Sequence, residues 1–127
     1  MQEEVEAIQN RLRQIMMTHM GPLMISKESD ANLEITGTIK AQQGKQMVDG
    51  HYFCSIMSKP KDVRFYFFPI YTHVGEFSLS PELDKMLKGK SCFHIKYLTD
   101  GLESEIKGMV KKGIEVYQKH GLIASTN

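Results

Sequence analysis

The run Val63-Arg64-Phe65-Tyr66-Phe67-Phe68-Pro69-Ile70-Tyr71 decides how the chain reads. Side chains alternate across a β-strand, so Val63, Phe65 and Phe67 would face one side while Tyr66, Phe68 and Ile70 face the other. Neither side is polar. A strand of this kind belongs inside a sheet that is covered on both faces. Helices would supply one cover, and a folded-over loop, a second copy of the chain or an apolar ligand would supply the other. Pro69 brings no amide hydrogen to a ladder and marks a bulge or an edge.

Strand-like segments lie on either side of this run. His51 to Met57 precedes it across Ser58, Lys59, Pro60, Lys61 and Asp62, turn formers at hairpin spacing. Further upstream, Leu33 to Lys40 alternates Leu33, Ile35 and Ile39 with Glu34, Thr36, Thr38 and Lys40, and Gly44 turns the chain between the two. Downstream, Ser91 to Tyr97 alternates Phe93, Ile95 and Tyr97 with Cys92, His94 and Lys96.

Three segments read as helices. Val5, Ile8, Leu12, Ile15 and Met16 recur at three- and four-residue steps, which predicts an amphipathic helix over about residues 2 to 18, closed by Gly21 and Pro22. Ser80 followed by Pro81 is an N-cap with proline at the first helical position, and Gly89 ends that short helix. Asp100 and Glu103 have capping-box spacing ahead of Leu102, Ile106, Met109, Gly113 and Tyr117, and Gly121 ends the last helix. The order helix, three strands, short helix, strand, long helix predicts one α+β domain over residues 1 to 127. Its sheet is mainly antiparallel, of four strands or slightly more, with the amphipathic helices packed on one face.

The chain has 127 residues with 16 basic and 15 acidic side chains, so no global field holds a nucleic acid or an anionic membrane. No apolar stretch is long enough to span a bilayer, and the N-terminal twenty residues lack the pattern of a signal peptide. Cys54 and Cys92 are the only cysteines and read as reduced thiols, which fits the cytoplasm. The aromatic strand resembles a base-stacking platform, but the glycine-punctuated signature of RNA-binding sheets is absent, so no nucleic-acid partner is expected. Gly89, Lys90 and Ser91 are only a fragment of a phosphate loop.

Two residue sets carry candidate chemistry. Tyr66, Phe68 and Ile70 on the aromatic strand, with Cys92 and His94, which project to one face of their own strand and could hold a soft metal, are the candidate ligand or partner face; core roles explain the same residues more simply. A thiol and an imidazole two apart on a strand lie beyond hydrogen-bond reach and make no catalytic dyad, so an enzyme would have to add His51 or His73. Carboxylates Glu3, Glu4 and Glu6, and Glu82 with Asp84, are candidate oxygen ligands for a hard metal, although each set lies in the first turns of a helix, where the macrodipole alone favours negative charge. Lys85, Lys88, Lys90, Lys96, Lys107, Lys111 and Lys112 make the second half of the chain basic, suited to an acidic partner or to phosphates, although such lysines more often serve solvation.

Ser80-Pro81-Glu82-Leu83, the stretch Leu87-Lys88-Gly89-Lys90-Ser91-Cys92-Phe93-His94-Ile95-Lys96, and the ending Tyr117-Gln118-Lys119-His120-Gly121 resemble the YdhG-like family of small bacterial domains. Phe67 to Tyr71 resembles that family's central strand, and the likeness covers about residues 30 to 123. The resemblance implies a single α+β domain and no established enzymatic activity, and it links the chain to one member described as a frataxin-like intracellular iron chaperone; no cofactor is expected, other than iron under the iron-carrier alternative. Two functional expectations follow. The first is a cytoplasmic, non-enzymatic binding or interaction domain with a homodimer or protein partner; the alternative is an iron carrier.

Overall fold

The computed structural model describes residues 2–125, with side chains from Glu4 onward. Helix α1 (Gln2–Met17) leads into β1 (Leu23–Glu28) and β2 (Asn32–Gly37), and a small hairpin of β3 (Ala41–Gln43) and β4 (Gln46–Val48) follows. Next come β5 (Tyr52–Ser58), β6 (Val63–Phe67), the short helix α2 (Pro69–Thr72), one 3₁₀ turn (Val74–Glu76) and α3 (Pro81–Met86). The chain closes with β7 (Leu87–Lys88), β8 (Cys92–Ile95) and α4 (Asp100–Lys119). The main sheet has six strands in the order β1-β2-β5-β6-β8-β7, and every pairing is antiparallel. The α+β architecture read from the sequence is the observed one.

Burial in the central strands has a period of two. Leu33 and Ile35 on β2, Val63, Phe65 and Phe67 on β6, and Phe93 and Ile95 on β8 are buried, while their neighbours are half-exposed. The inward set meets Val5, Ile8, Leu12, Ile15 and Met16 of α1 and Leu102, Ile106, Met109 and Val116 of α4 in one apolar core. The two long helices are also joined directly. Arg11 donates to the Leu98 carbonyl at 3.0 Å and to Glu103 at 2.6 Å, which holds the Glu103 carboxyl below the usual carboxylate range.

Several expectations need correction. The aromatic run is not one strand: β6 stops at Phe67, and Pro69 opens α2, where its missing N–H and preset φ suit the first helical position. Ile70 therefore lies on α2 with 5% exposure in the core, not on the outer sheet face with Tyr66. Gly89 does not end α3. With φ of 78° it turns the chain from β7 to β8, while α3 stops at Met86. The cap of α4 is Thr99, whose hydroxyl accepts from the Leu102 amide at 3.1 Å, and Asp100 is the first helical residue. Strands β1, β3, β4 and β7 had no counterpart in the sequence reading.

The Ser80 cap of α3 and the glycine end of α4 are as expected. Ser80 Oγ accepts from the Leu83 amide at 3.1 Å. Past His120, the Gly121 amide donates to the Gln118 carbonyl at 3.1 Å and the Leu122 amide to Tyr117 at 2.8 Å, with Gly121 at φ 72°. A bulge shapes the centre of the sheet: Ile35 pairs with Cys54 and Thr36 with Tyr52, which leaves Phe53 as the extra residue. Phe53 and Cys54 are both fully buried, Phe53 lying edge-on to Phe67 and Tyr117. Among the described residues, no helix is long and apolar enough to cross a membrane.

Candidate functional site

The helices take one face of the sheet, and the other face presents its own side chains in rows set by the register. One row runs Glu34 (β2), Ser55 (β5), Tyr66 (β6), Cys92 (β8), Lys88 (β7). The next row runs Asn32, Met57, Arg64, His94 across the first four of those strands. At the β5–β6 end, Tyr52 and Phe68 stand with ring centroids 5.2 Å apart, and Tyr71 extends the stack 5.7 Å beyond Phe68. These residues are mostly half-buried by one another, and Ser55 is nearly covered at 6%.

Hydrogen bonds brace the face. Tyr52 Oη and Ser55 Oγ are 2.6 Å apart, and Tyr52 is largely buried, so its phenol is held well above the ordinary tyrosine range. Arg64 Nε donates to Asp62 Oδ1 at 2.8 Å; Asp62, 5% exposed, also lies 3.9 Å from His94 Nδ1. Burial, then the positive charges of Arg64, Lys88 and Lys96, lower the His94 pKa against the opposing pull of Asp62. Burial also raises the Cys92 thiol, with Tyr66 and Arg64 working in the other direction. A thiol held in its protonated form is a poor nucleophile at neutral pH.

Of the sequence candidates, the structure brings Tyr66, Phe68, Cys92 and His94 to this face and removes Ile70 to the core. Cys54 faces the helices and is fully buried, its thiol pushed up by desolvation, so the two cysteines lie on opposite faces and are both free. His51 packs 4.8 Å from the Tyr117 ring and 5.7 Å from Phe68 at the end of the face, and His73 lies 5.7 Å from Tyr117. Register is what reveals the other members of the face, Glu34, Ser55, Arg64 and Lys88. Their sequence signal was only the polar half of each alternation.

The carboxylate candidates stay dispersed. Glu4 and Glu6 are exposed on α1, Asp84 is exposed on α3, and the side chain of Glu3 lies outside the described residues. Glu82 accepts a hydrogen bond from Tyr97 Oη at 2.6 Å. Among the described residues, no three His, Cys, Asp or Glu side chains converge as a group able to hold a metal ion. The chain matches no known family model, no curated protein and no solved structure.

Proposed function

We propose that the chain is a non-enzymatic interaction domain whose outer sheet face docks a protein surface, and that the partner is a second copy of the same chain. The observation that carries this reading is the row Glu34–Ser55–Tyr66–Cys92–Lys88. Strands in a sheet lie about 4.8 Å apart, so Glu34 and Lys88 stand about 10 Å to either side of Tyr66, with opposite charges.

Suppose two such faces pack about a two-fold axis that runs along β6 between them. Each Glu34 then opposes Lys88 of the partner subunit, each Ser55 opposes Cys92 of the partner subunit, and the Tyr66 rings meet near the axis. Arg64 meets its own copy with its charge already matched by Asp62. Phe68 supplies apolar area at the end of the same axis. Two free thiols fit a reducing compartment such as the cytoplasm. The shared face is only about 20 Å across and so falls at the low end of specific interfaces, the size class of transient contacts.

Sedimentation equilibrium with a charge-swap cycle tests this. Glu34→Lys and Lys88→Glu each place like charges together twice per dimer, so each weakens association by about tenfold, and the double variant restores it. A wild-type chain that stays monomeric up to about 500 μM, or a double variant no better than the singles, overturns the reading.

A further inference from the structure

Strand β7 pairs only with Cys92 and Phe93 of β8. One residue earlier, at Met86, the chain leaves the sheet as α3. The part of β8 that begins at His94 therefore has α3 beside it instead of a strand, and the gap is a cavity of about 600 Å³. That volume is in the range of small-molecule sites. Its lining comes from three elements: Lys85 and Met86 from α3, Lys88 from β7, and His94, Lys96 and Tyr97 from β8 and the residues after it.

The charges in this lining do not balance. Lys85, Lys88 and Lys96, all exposed, line the cavity, and among the described residues none of them forms a salt bridge. The one carboxylate in the lining, Glu82, accepts a hydrogen bond from Tyr97 Oη and keeps its charge, so the three lysines still leave the lining at +2; nearby Asp62 is matched by Arg64. Lysines that merely solubilise a surface spread over convex ground, where water screens them. Three that enter one concavity focus their field there and attract an anion. The rest of the wall is apolar: Met86 is 7% exposed, and Pro81 and the Tyr97 ring stand beside it.

We infer that this cavity binds a small organic anion, whose acid group is held by Lys85, Lys88 and Lys96 beside His94 and whose apolar body lies against Met86, Pro81 and Tyr97. A bare inorganic anion would leave most of the space and the whole apolar wall unused. Bound negative charge also favours the protonated imidazole, so occupancy raises the His94 pKa, which the free protein holds low. Site and reporter are thus the same group of side chains.

The test uses the full chain at low concentration, with phenyl phosphate, benzoate, inorganic phosphate and benzyl alcohol as probes and the His94 imidazole resonances as readout. Phenyl phosphate or benzoate is expected to saturate the site and raise the His94 titration midpoint, with an affinity that falls as salt is added. Benzyl alcohol is expected to leave it unchanged, and inorganic phosphate to bind more weakly than phenyl phosphate. The double variant Lys85→Gln/Lys96→Gln is expected to weaken binding by about tenfold with unfolding unchanged. A His94 midpoint that does not move with about 10 mM of either aromatic acid overturns the inference. So does a double variant that binds like the wild type, or tighter binding of inorganic phosphate, which would remove the apolar half of the site. Lys88 belongs to both readings, so self-association and anion binding compete for it, whereas Lys85 and Lys96 lie outside the Glu34–Lys88 row; the Lys85→Gln/Lys96→Gln variant at low concentration therefore tests this site apart from self-association.

Discussion

Two glycines on α4 respond to the same substitution in opposite directions. Gly108 is exposed, and a Cβ built there has nothing within 4 Å. Gly113 is buried, and its Cβ would stand 2.6 Å from Phe67 Cζ and 3.1 Å from Pro69 Cγ. The Phe67 ring is fully buried and cannot swing aside, because Phe53, Phe65 and Phe77 surround it at centroid distances of 5.5, 5.7 and 5.6 Å. Glycine to alanine inside a helix gains about 1 kcal/mol, and overpacking a well-filled core costs about 1–3 kcal/mol. Gly108→Ala therefore stabilises by about 1 kcal/mol, while Gly113→Ala destabilises by about 1 kcal/mol on balance. For a chain of this size 1 kcal/mol corresponds to about 4 °C in Tm. Thermal unfolding followed by circular dichroism is expected to show Gly108→Ala above and Gly113→Ala below the wild type. Phe67→Leu combined with Gly113→Ala should cost less than the sum of the two single changes. If Gly113→Ala gained stability as Gly108→Ala does, the close approach of α4 to β6 would be wrong.

Three further outcomes follow from particular side chains. Cys92 should react with a thiol reagent in the native protein, slowly because its pKa is raised, while Cys54 reacts only on unfolding; equal native reactivity would contradict their assignment to opposite faces. Burial lowers the pKa values of His51, His73 and His94, so below the unfolded value of about 6.5 the unfolded chain takes up protons that the folded chain refuses. Stability should then fall as pH drops from about 7 toward 5, less steeply in His51→Gln, and urea midpoints that stay level over that range would contradict it. Ser80 caps α3 and also donates to Glu105 Oε1 at 2.7 Å, tying α3 to α4; Ser80→Ala should cost about 1 kcal/mol in urea unfolding, and no loss would contradict the cap.

The helices were legible because their signals are local: the apolar spacing of α1 and α4, the Ser80-Pro81 start and the Gly121 stop all lie within one or two turns. Strand β1 was not. At the edge of the sheet only Leu23 is buried and Ile25 half-buried, so the alternation that marks a strand is nearly erased. The aromatic run misled because Phe65 to Tyr71 is equally apolar in the strand and in the helical turn that Pro69 begins, and the change of period carried Ile70 from the outer face to the core. Inward rotation of Phe53 depends on a bulge that no local pattern announces.

The candidate site divides in the same way. Tyr66, Cys92 and His94 were legible by alternation alone. The row that joins Glu34 to Lys88 spans five strands and exists only once their register is known. The cavity lined by Lys85, Lys88 and Lys96 was visible in the sequence only as an excess of lysine, because the gap comes from the short length of β7 and the departure of α3 at Met86.

The most direct measurement of the central claim is a dilution series of amide correlation spectra from the ¹⁵N-labelled chain, analysed residue by residue. The account predicts concentration-dependent shifts and broadening at Glu34, Ser55, Tyr66, Phe68, Cys92 and Lys88, with α1 and α4 unaffected, and the loss of those changes in Lys88→Glu. Spectra independent of concentration, or changes confined to the helices or to the β1 edge, would contradict it.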